Sequence, residues 1–251
     1  MAGRNTVYLR IKRQASPKDK PYWENFSLEF CQNDTLLSIL TKLTDDPRTS
    51  DGKETAPVHH ECNCKEEICG ACTVRVNGKP VMACSALVSS LPASSPEKPI
   101  IVEPLEKFPV IRDLTVNKSR VFRSLTSVKN WVETDDFFDP PLQYPQNKQL
   151  EMYSYAKCIS CGSCYDSCPR TEKSSKSYLG PAAIAQVVKL CIHPRGKIDK
   201  NARLEAIMGD NGISKCGKAL VCEKVCPKSV PLIRSIGRAN REAIKKLFHL
   251  P

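Results

Sequence analysis

No stretch of this 251-residue chain approaches the ~20 uninterrupted apolar residues that a membrane-crossing helix needs. The most apolar helical-looking run, PAAIAQVVKLCIHP, is too short and carries Gln186 and Lys189. The opening residues, MAGRNTVYLRIKRQ, hold no apolar leader segment and run directly into an alternating pattern. A glycine-rich turn between strand and helix is also missing, which removes the usual cradle for a nucleotide phosphate. Only four histidines are present, and His59, His60, His193 and His249 lie in no constellation suited to acid–base catalysis. Acidic residues are in deficit, 27 against 38 basic ones, giving a formal charge of +11. The basic residues are dispersed and not interleaved with aromatics. No nucleic-acid module is therefore read from them, and an acidic protein surface or anionic headgroups fit the charge equally well. With 41% hydrophobic residues the chain can bury a real core, and a cytoplasmic location is expected.

Against these absences stand fourteen cysteines. A chain of this length without an export signal is not a disulfide-stapled mini-protein, so the clustered thiols point to metal. Five lie within residues 62–84 and eight within 158–226, which suggests two modules, 1–108 and 109–251.

The first module reads as mixed α/β. TVYLRIKR places Val7, Leu9 and Ile11 on one strand face, and NFSLEF places Phe26, Leu28 and Phe30 likewise. NDTLLSILTKL predicts a helix capped by Asn33 or Asp34, with Leu36, Ile39, Leu40 and Leu43 facing inward. Asn77-Gly78 is a hairpin turn, and KPIIVEPL reads as a last strand. That order occurs in a ubiquitin-like grasp, a topology that the pattern alone does not fix. Beyond EKFPVIRDL the spacing turns helical at RVFRSLTSVKNWV, passes through a loop, DDFFDPPLQYPQNKQ, and ends on a basic helix with Leu232, Ile236, Ile244 and Leu247 able to share an apolar side.

Cys64, Cys69, Cys72 and Cys84 form C-x4-C-x2-C with a distant fourth cysteine, the plant-type arrangement for a 2Fe–2S cluster. Three thiolates from one tight loop and one from outside it can wrap a flat two-iron rhomb. Gly70 and Ala71 are small enough to let backbone N–H groups approach the sulfurs. Cys62 would leave a longer gap to Cys69, so Cys64 is preferred. Four thiolates also suit zinc, but this rhythm is less usual for it.

Cys158, Cys161, Cys164 and Cys168, followed by Pro169, make the C-x2-C-x2-C-x3-C-P run of bacterial ferredoxins, whose fourth cysteine serves the other cluster. A second run is then required, and it exists as Cys216, Ala219, Cys222 and Cys226 with Pro227. Crossing gives Cys158, Cys161, Cys164 and Cys226 to a 4Fe–4S cluster. It leaves Cys168, Cys216 and Cys222, three thiolates, for a 3Fe–4S cluster. Cys31, Cys62 and Cys191 are unassigned and are expected to be small buried hydrophobes. Tyr178 and Lys215 lie close in sequence to these loops.

The two runs, together with FPVIRDL, AKCISCGSC, GPAAIAQ and CPKSVPL, resemble the iron–sulfur subunit of succinate dehydrogenase and fumarate reductase over nearly the whole chain. The resemblance implies an α+β protein: an N-terminal β-grasp plant-type ferredoxin domain and a C-terminal all-helical, bacterial-ferredoxin-like domain. It implies an electron relay from FAD on a flavoprotein subunit, through 2Fe–2S, 4Fe–4S and 3Fe–4S clusters, to quinone at a membrane anchor on the cytoplasmic face of the bacterial inner membrane. The same ligand sets follow from it. Many members carry a histidine after the position of Cys216 and a tryptophan soon after that of Cys168; here Gly217 stands at the first and no tryptophan at the second, while Pro169 is retained on the quinone side. This is closer to the bacterial variety with a dihaem cytochrome b anchor and menaquinone. The rivals are the reverse reaction as a quinol:fumarate reductase, an iron–sulfur subunit of another flavoenzyme, and a structural zinc or nucleic-acid-binding protein.

Overall fold

Alternation of apolar residues fixes the first strand. In the computed structural model, which describes residues 5–132, 143–173 and 178–250, β1 (Asn5–Arg13) buries Val7, Leu9 and Ile11 on one face. It pairs antiparallel with β2 (Tyr22–Phe30), where Phe26 is fully buried and Leu28 and Phe30 are half-buried. The helix α1 (Leu36–Asp45) buries Leu36, Leu37, Ile39, Leu40 and Leu43. Its cap is Thr35, whose hydroxyl accepts the Ser38 N–H at 3.2 Å, and not Asn33 or Asp34. Asp34 is taken up otherwise: it accepts the Cys31 N–H at 2.9 Å and pairs with Lys42 at 2.7 Å.

β3 (Thr73–Val76) and β4 (Lys79–Met82) form the expected hairpin. Asn77 and Gly78 both take positive φ, +47° and +79°, as a two-residue turn matching the strand twist requires. β5 (Ile100–Glu103) lies parallel to β1 and antiparallel to β3, so the sheet order is β2-β1-β5-β3-β4. This mixed sheet with a helix between its hairpins is the expected grasp arrangement. A small ladder of β6 (Val110–Arg112) and β7 (Thr115–Val116) follows.

One buried ion network ties the strands of this part together. Arg13, 1% exposed, donates through Nε to Asp113 Oδ1 at 3.1 Å and through Nη2 to the carbonyls of Ala56 at 2.9 Å and Pro57 at 3.2 Å, and it also pairs with Glu24. Asp113, 2% exposed, accepts the N–H groups of Gln14 and His59, each at 2.9 Å. With Arg13 Nη2 also donating to Asp113 Oδ2 at 3.3 Å, four donors meet the buried carboxylate.

The chain divides into two compact units. The first is Met1–Lys118 with Cys161–Asp166, and the second is Ser119–Ser160 with Ser167–Pro251. The expected boundary at 108 falls ahead of the ladder and of Lys118. The second unit is built from α2 (Ser119–Ser127), α3 (Gln146–Ala156), α5 (Pro181–Ile192), α6 (Lys200–Met208), the single turn α7 (Val221–Lys224) and α8 (Leu232–Leu247); α4 (Ser163–Asp166) belongs to the first. α5 is buried nearly all round and is the core helix. Of the expected loop over 135–149, residues 135–142 lie outside the described residues; Gln146 already opens α3, because Pro145 with φ −57° presets the helix start. On α8 the buried side is Leu232, Ser235, Ala239 and Ala243, whereas Ile244 and Leu247 are exposed. Small residues let α8 approach α5 closely, and that outweighs the larger apolar stripe. Cys31 and Cys62 are exposed and Cys191 is half-buried, so these thiols are not the buried hydrophobes that their lack of a role suggested. Among the described residues no helix is long and apolar enough to cross a membrane.

Candidate cluster-binding sites

In the first unit the loop from Cys64 to Cys72 turns repeatedly through left-handed geometry, with φ +60° at Lys65, +56° at Glu67 and +75° at Gly70. These reversals aim successive N–H groups inward. Cys64 Sγ accepts from Glu66, Ile68 and Cys69 N–H at 3.4, 3.3 and 3.3 Å. Glu67 N–H reaches Cys84 Sγ at 3.3 Å, and Ala71 N–H reaches Cys69 Sγ at 3.5 Å. Cys69 bears on Cys64, and Cys84 first and then Cys69 bear on Cys72. Two irons sharing two bridging sulfides each need two thiolates, so these thiols within a nest of N–H donors fit a 2Fe–2S cluster.

The thiols differ in environment. The Glu66 N–H above all, then those of Ile68 and Cys69, lowers Cys64 to about 7. Burial pushes Cys72 up to about 12, with Cys84 beside it. In the reduced chain stripped of metal, Cys64 should therefore alkylate with a pH midpoint near 7, its reactive thiolate growing as pH rises. Iodoacetamide labelling read site by site in a mass spectrometer checks this; a midpoint at the ordinary 9.0 would show that the N–H nest does not hold Cys64.

Lys118 fastens the same loop. Its Nζ donates to the carbonyls of Gly70 and Ala71, each at 2.8 Å, and pairs with Glu61 at 3.6 Å. Burial lowers its pKa, while Glu61 and the thiols of Cys161 and Cys72 pull in the opposite direction. Nothing in the sequence around Lys118 marks it for this position.

The two ferredoxin-like runs share two left-handed positions and the helix start that follows them. In the first, Ser160 and Gly162 have φ of +53° and +91°, and α4 starts at Ser163. In the second, Lys218 and Leu220 have φ of +53° and +59°, and α7 starts at Val221. Cys168 O accepts the Thr171 N–H at 3.1 Å, and Cys226 O accepts the Ser229 N–H at 3.2 Å. Ala219 thus occupies the backbone position of Cys161, between the same two left-handed residues. Leu220 holds such a conformation without being glycine, which costs roughly 1–2 kcal/mol. Gly162 has no such freedom to change, because a Cβ there would lie 3.0 Å from the Phe108 ring as well as at positive φ. Within the first unit, Cys161 is buried with its Sγ 3.3 Å from Ser163 Oγ, and Asp166 accepts the Lys107 N–H at 3.0 Å beside Arg75 at 3.7 Å. Burial raises the Asp166 pKa in spite of these partners.

Cys168, Cys216 and Cys222 line one apolar cavity of about 340 Å³ together with Pro169, Tyr178 and Ala219. Burial first, then Cys168 and Cys216, pushes Cys222 up to about 11. Three thiols facing a roomy apolar space, with an alanine in the fourth place, fit a cluster of three irons. Gly217 leaves room for Arg170, whose Nε would stand 2.7 Å from any Cβ at 217.

Residues 8–123 match the 2Fe-2S iron-sulfur cluster binding domain family, and residues 157–231 match the 4Fe-4S dicluster domain family. The succinate dehydrogenase iron-sulfur subunit of Bacillus subtilis is 38% identical over 250 residues, which cover 99% of this chain and 96% of that one. This chain belongs to the succinate dehydrogenase and fumarate reductase iron–sulfur subunits. Within that family, the fumarate reductase iron-sulfur subunit of Haemophilus influenzae is 29% identical over 259 residues, covering 98% of this chain and 96% of its own. A chain of the Mycobacterium smegmatis Sdh1 complex in the apo form shares the fold, with a TM-score of 0.84 at 20% identity and 98% of each chain covered. As a member of this family the chain is a subunit of a multi-subunit oxidoreductase and carries 2Fe–2S and 4Fe–4S domains.

Proposed function

We propose that this iron–sulfur subunit relays electrons from the FAD of a flavoprotein subunit to quinone in a succinate:quinone oxidoreductase. Cys64, Cys69, Cys72 and Cys84 hold the 2Fe–2S cluster. Cys158, Cys161, Cys164 and Cys226 hold the 4Fe–4S cluster, and Cys168, Cys216 and Cys222 the 3Fe–4S cluster. The observation that carries this assignment is that Ser160 and Gly162 in the first run and Lys218 and Leu220 in the second are left-handed at equivalent positions ahead of equivalent helix starts, with Ala219 standing where the first run has Cys161. A decayed site would be expected to lose its backbone shape along with its thiol.

The bound clusters supply one-electron redox chemistry. The residues of this chain do the rest. Cys64 and Cys69 take N–H dipoles that stabilise thiolate charge, while Cys72, Cys84 and Cys222 are buried away from water. Pro169 and the apolar wall at Ile233 and Ile236 keep the cavity beside Cys216 apolar, as a lipophilic quinone would need on that side. Membrane attachment falls to an anchor subunit, of the dihaem cytochrome b type, at the cytoplasmic face of the bacterial inner membrane.

Electron paramagnetic resonance on the anaerobically isolated complex tests the assignment. A 3Fe–4S signal is expected in the oxidised state and a 2Fe–2S signal on reduction; a complex without the 3Fe signal refutes the ligand count. Comparing succinate-driven quinone reduction with quinol-driven fumarate reduction decides the favoured direction.

A further inference from the structure

Tyr178 is 2% exposed; its buried hydroxyl has no oxygen or nitrogen acceptor among the described residues, and the Cys216 sulfur is the acceptor beside it. Phenylalanine would fill the same space and avoid the cost of a buried hydroxyl, so a tyrosine there calls for an acceptor, and sulfur is what the surroundings offer. The surroundings say where that acceptor lies. Tyr178 lines the same cavity as Cys168, Cys216, Cys222 and Ala219, and charge on each of those three thiols bears on its hydroxyl. A phenol is neutral at working pH and offers one O–H to donate.

We propose that Tyr178 is a positioning residue whose hydroxyl donates a hydrogen bond to a sulfur of the group held by Cys168, Cys216 and Cys222, and thereby raises the reduction potential of that group. The proposal rests on the ligand assignment above. Reduction adds negative charge, and a donor aimed at sulfur in a dry site stabilises the more negative state more than the less negative one. The backbone of the second run carries no glycine at its left-handed positions, so the shape of the site is already fixed, and a side-chain donor can adjust it without moving a ligand.

The test is a redox titration followed by electron paramagnetic resonance on the intact membrane complex, comparing wild type with Tyr178→Phe, which keeps the ring and removes only the donor. The 3Fe midpoint should fall, so that at the wild-type midpoint the oxidised-to-reduced ratio rises about tenfold, or ~59 mV for a one-electron couple. The 2Fe–2S midpoint should stay in place. Wild type exchanged into heavy water should also show a deuteron coupled to the oxidised 3Fe signal in electron–nuclear double resonance, and Tyr178→Phe should lose it. An unmoved 3Fe midpoint overturns the proposal. Absence of the deuteron coupling in wild type overturns it as well, and that measurement needs no variant to assemble. A wild type with no 3Fe signal overturns the ligand assignment instead, and is told apart because Tyr178→Phe plays no part in it.

Discussion

Ala219→Cys is expected to abolish the 3Fe signal of the oxidised complex and to put a fourth iron into that site. The side chain at 219 faces the cavity shared by Cys168, Cys216 and Cys222, and its backbone already has the shape found at Cys161. No loop rearrangement is needed for the new thiolate to bind. An added thiolate brings negative charge and lowers the potential of the site, so quinone reduction should slow roughly tenfold, as a barrier raised by ~1.4 kcal/mol would give. Spectroscopy of the oxidised variant and succinate-driven quinone reduction in the same membranes check both parts. A variant that kept its 3Fe signal and its rate would remove Ala219 from any role in setting cluster type.

Arg13→Met should cost the first unit about 3–5 kcal/mol, the usual penalty for stranding a buried charge. Asp113 would stay 2% exposed with two N–H donors and no cation, and the carbonyls of Ala56 and Pro57 would lose their donor. In a chain of this size that corresponds to a fall in Tm of about 10 °C, read from bleaching of the 2Fe–2S absorbance on heating. Arg13→Lys should recover only part of the loss, because an ammonium cannot serve Asp113, Glu24 and two carbonyls from one planar fork. A loss below ~1 kcal/mol would show that the network contributes little to stability.

Much of this protein was legible from spacing. Thiol ligands must recur at short, fixed intervals to enclose one cluster, so Cys158 to Cys168 and Cys216 to Cys226 reveal each other. Strand alternation at Val7, Leu9 and Ile11 and the Asn77-Gly78 turn were readable because they are local. Tertiary choices were not. Thr35 is the cap because Asp34 is occupied by Cys31 and Lys42. Beyond Leu232 the buried side of α8 is small residues, Ser235, Ala239 and Ala243, and no hydrophobicity count finds it. Tyr178 stood out only by its nearness in sequence to the cysteine loops, and Lys118 not at all; what Lys118 holds is set by the carbonyls of Gly70 and Ala71 that face it in space. Whether a lone cysteine such as Cys31 is buried depends on packing, not on its neighbours in the chain.

The first unit is discontinuous: it closes only with Cys161–Asp166, which begins 43 residues after Lys118. This bears on how the protein is made. A ribosome delivering roughly 5–20 residues per second leaves Phe108 and the Lys107 N–H without Gly162 and Asp166 for several seconds. Fragments ending at 108 or 118 lack the same contacts permanently. The early product of synthesis thus lacks one short segment of its unit, and its completion waits on the residues that include Cys161 and Cys164.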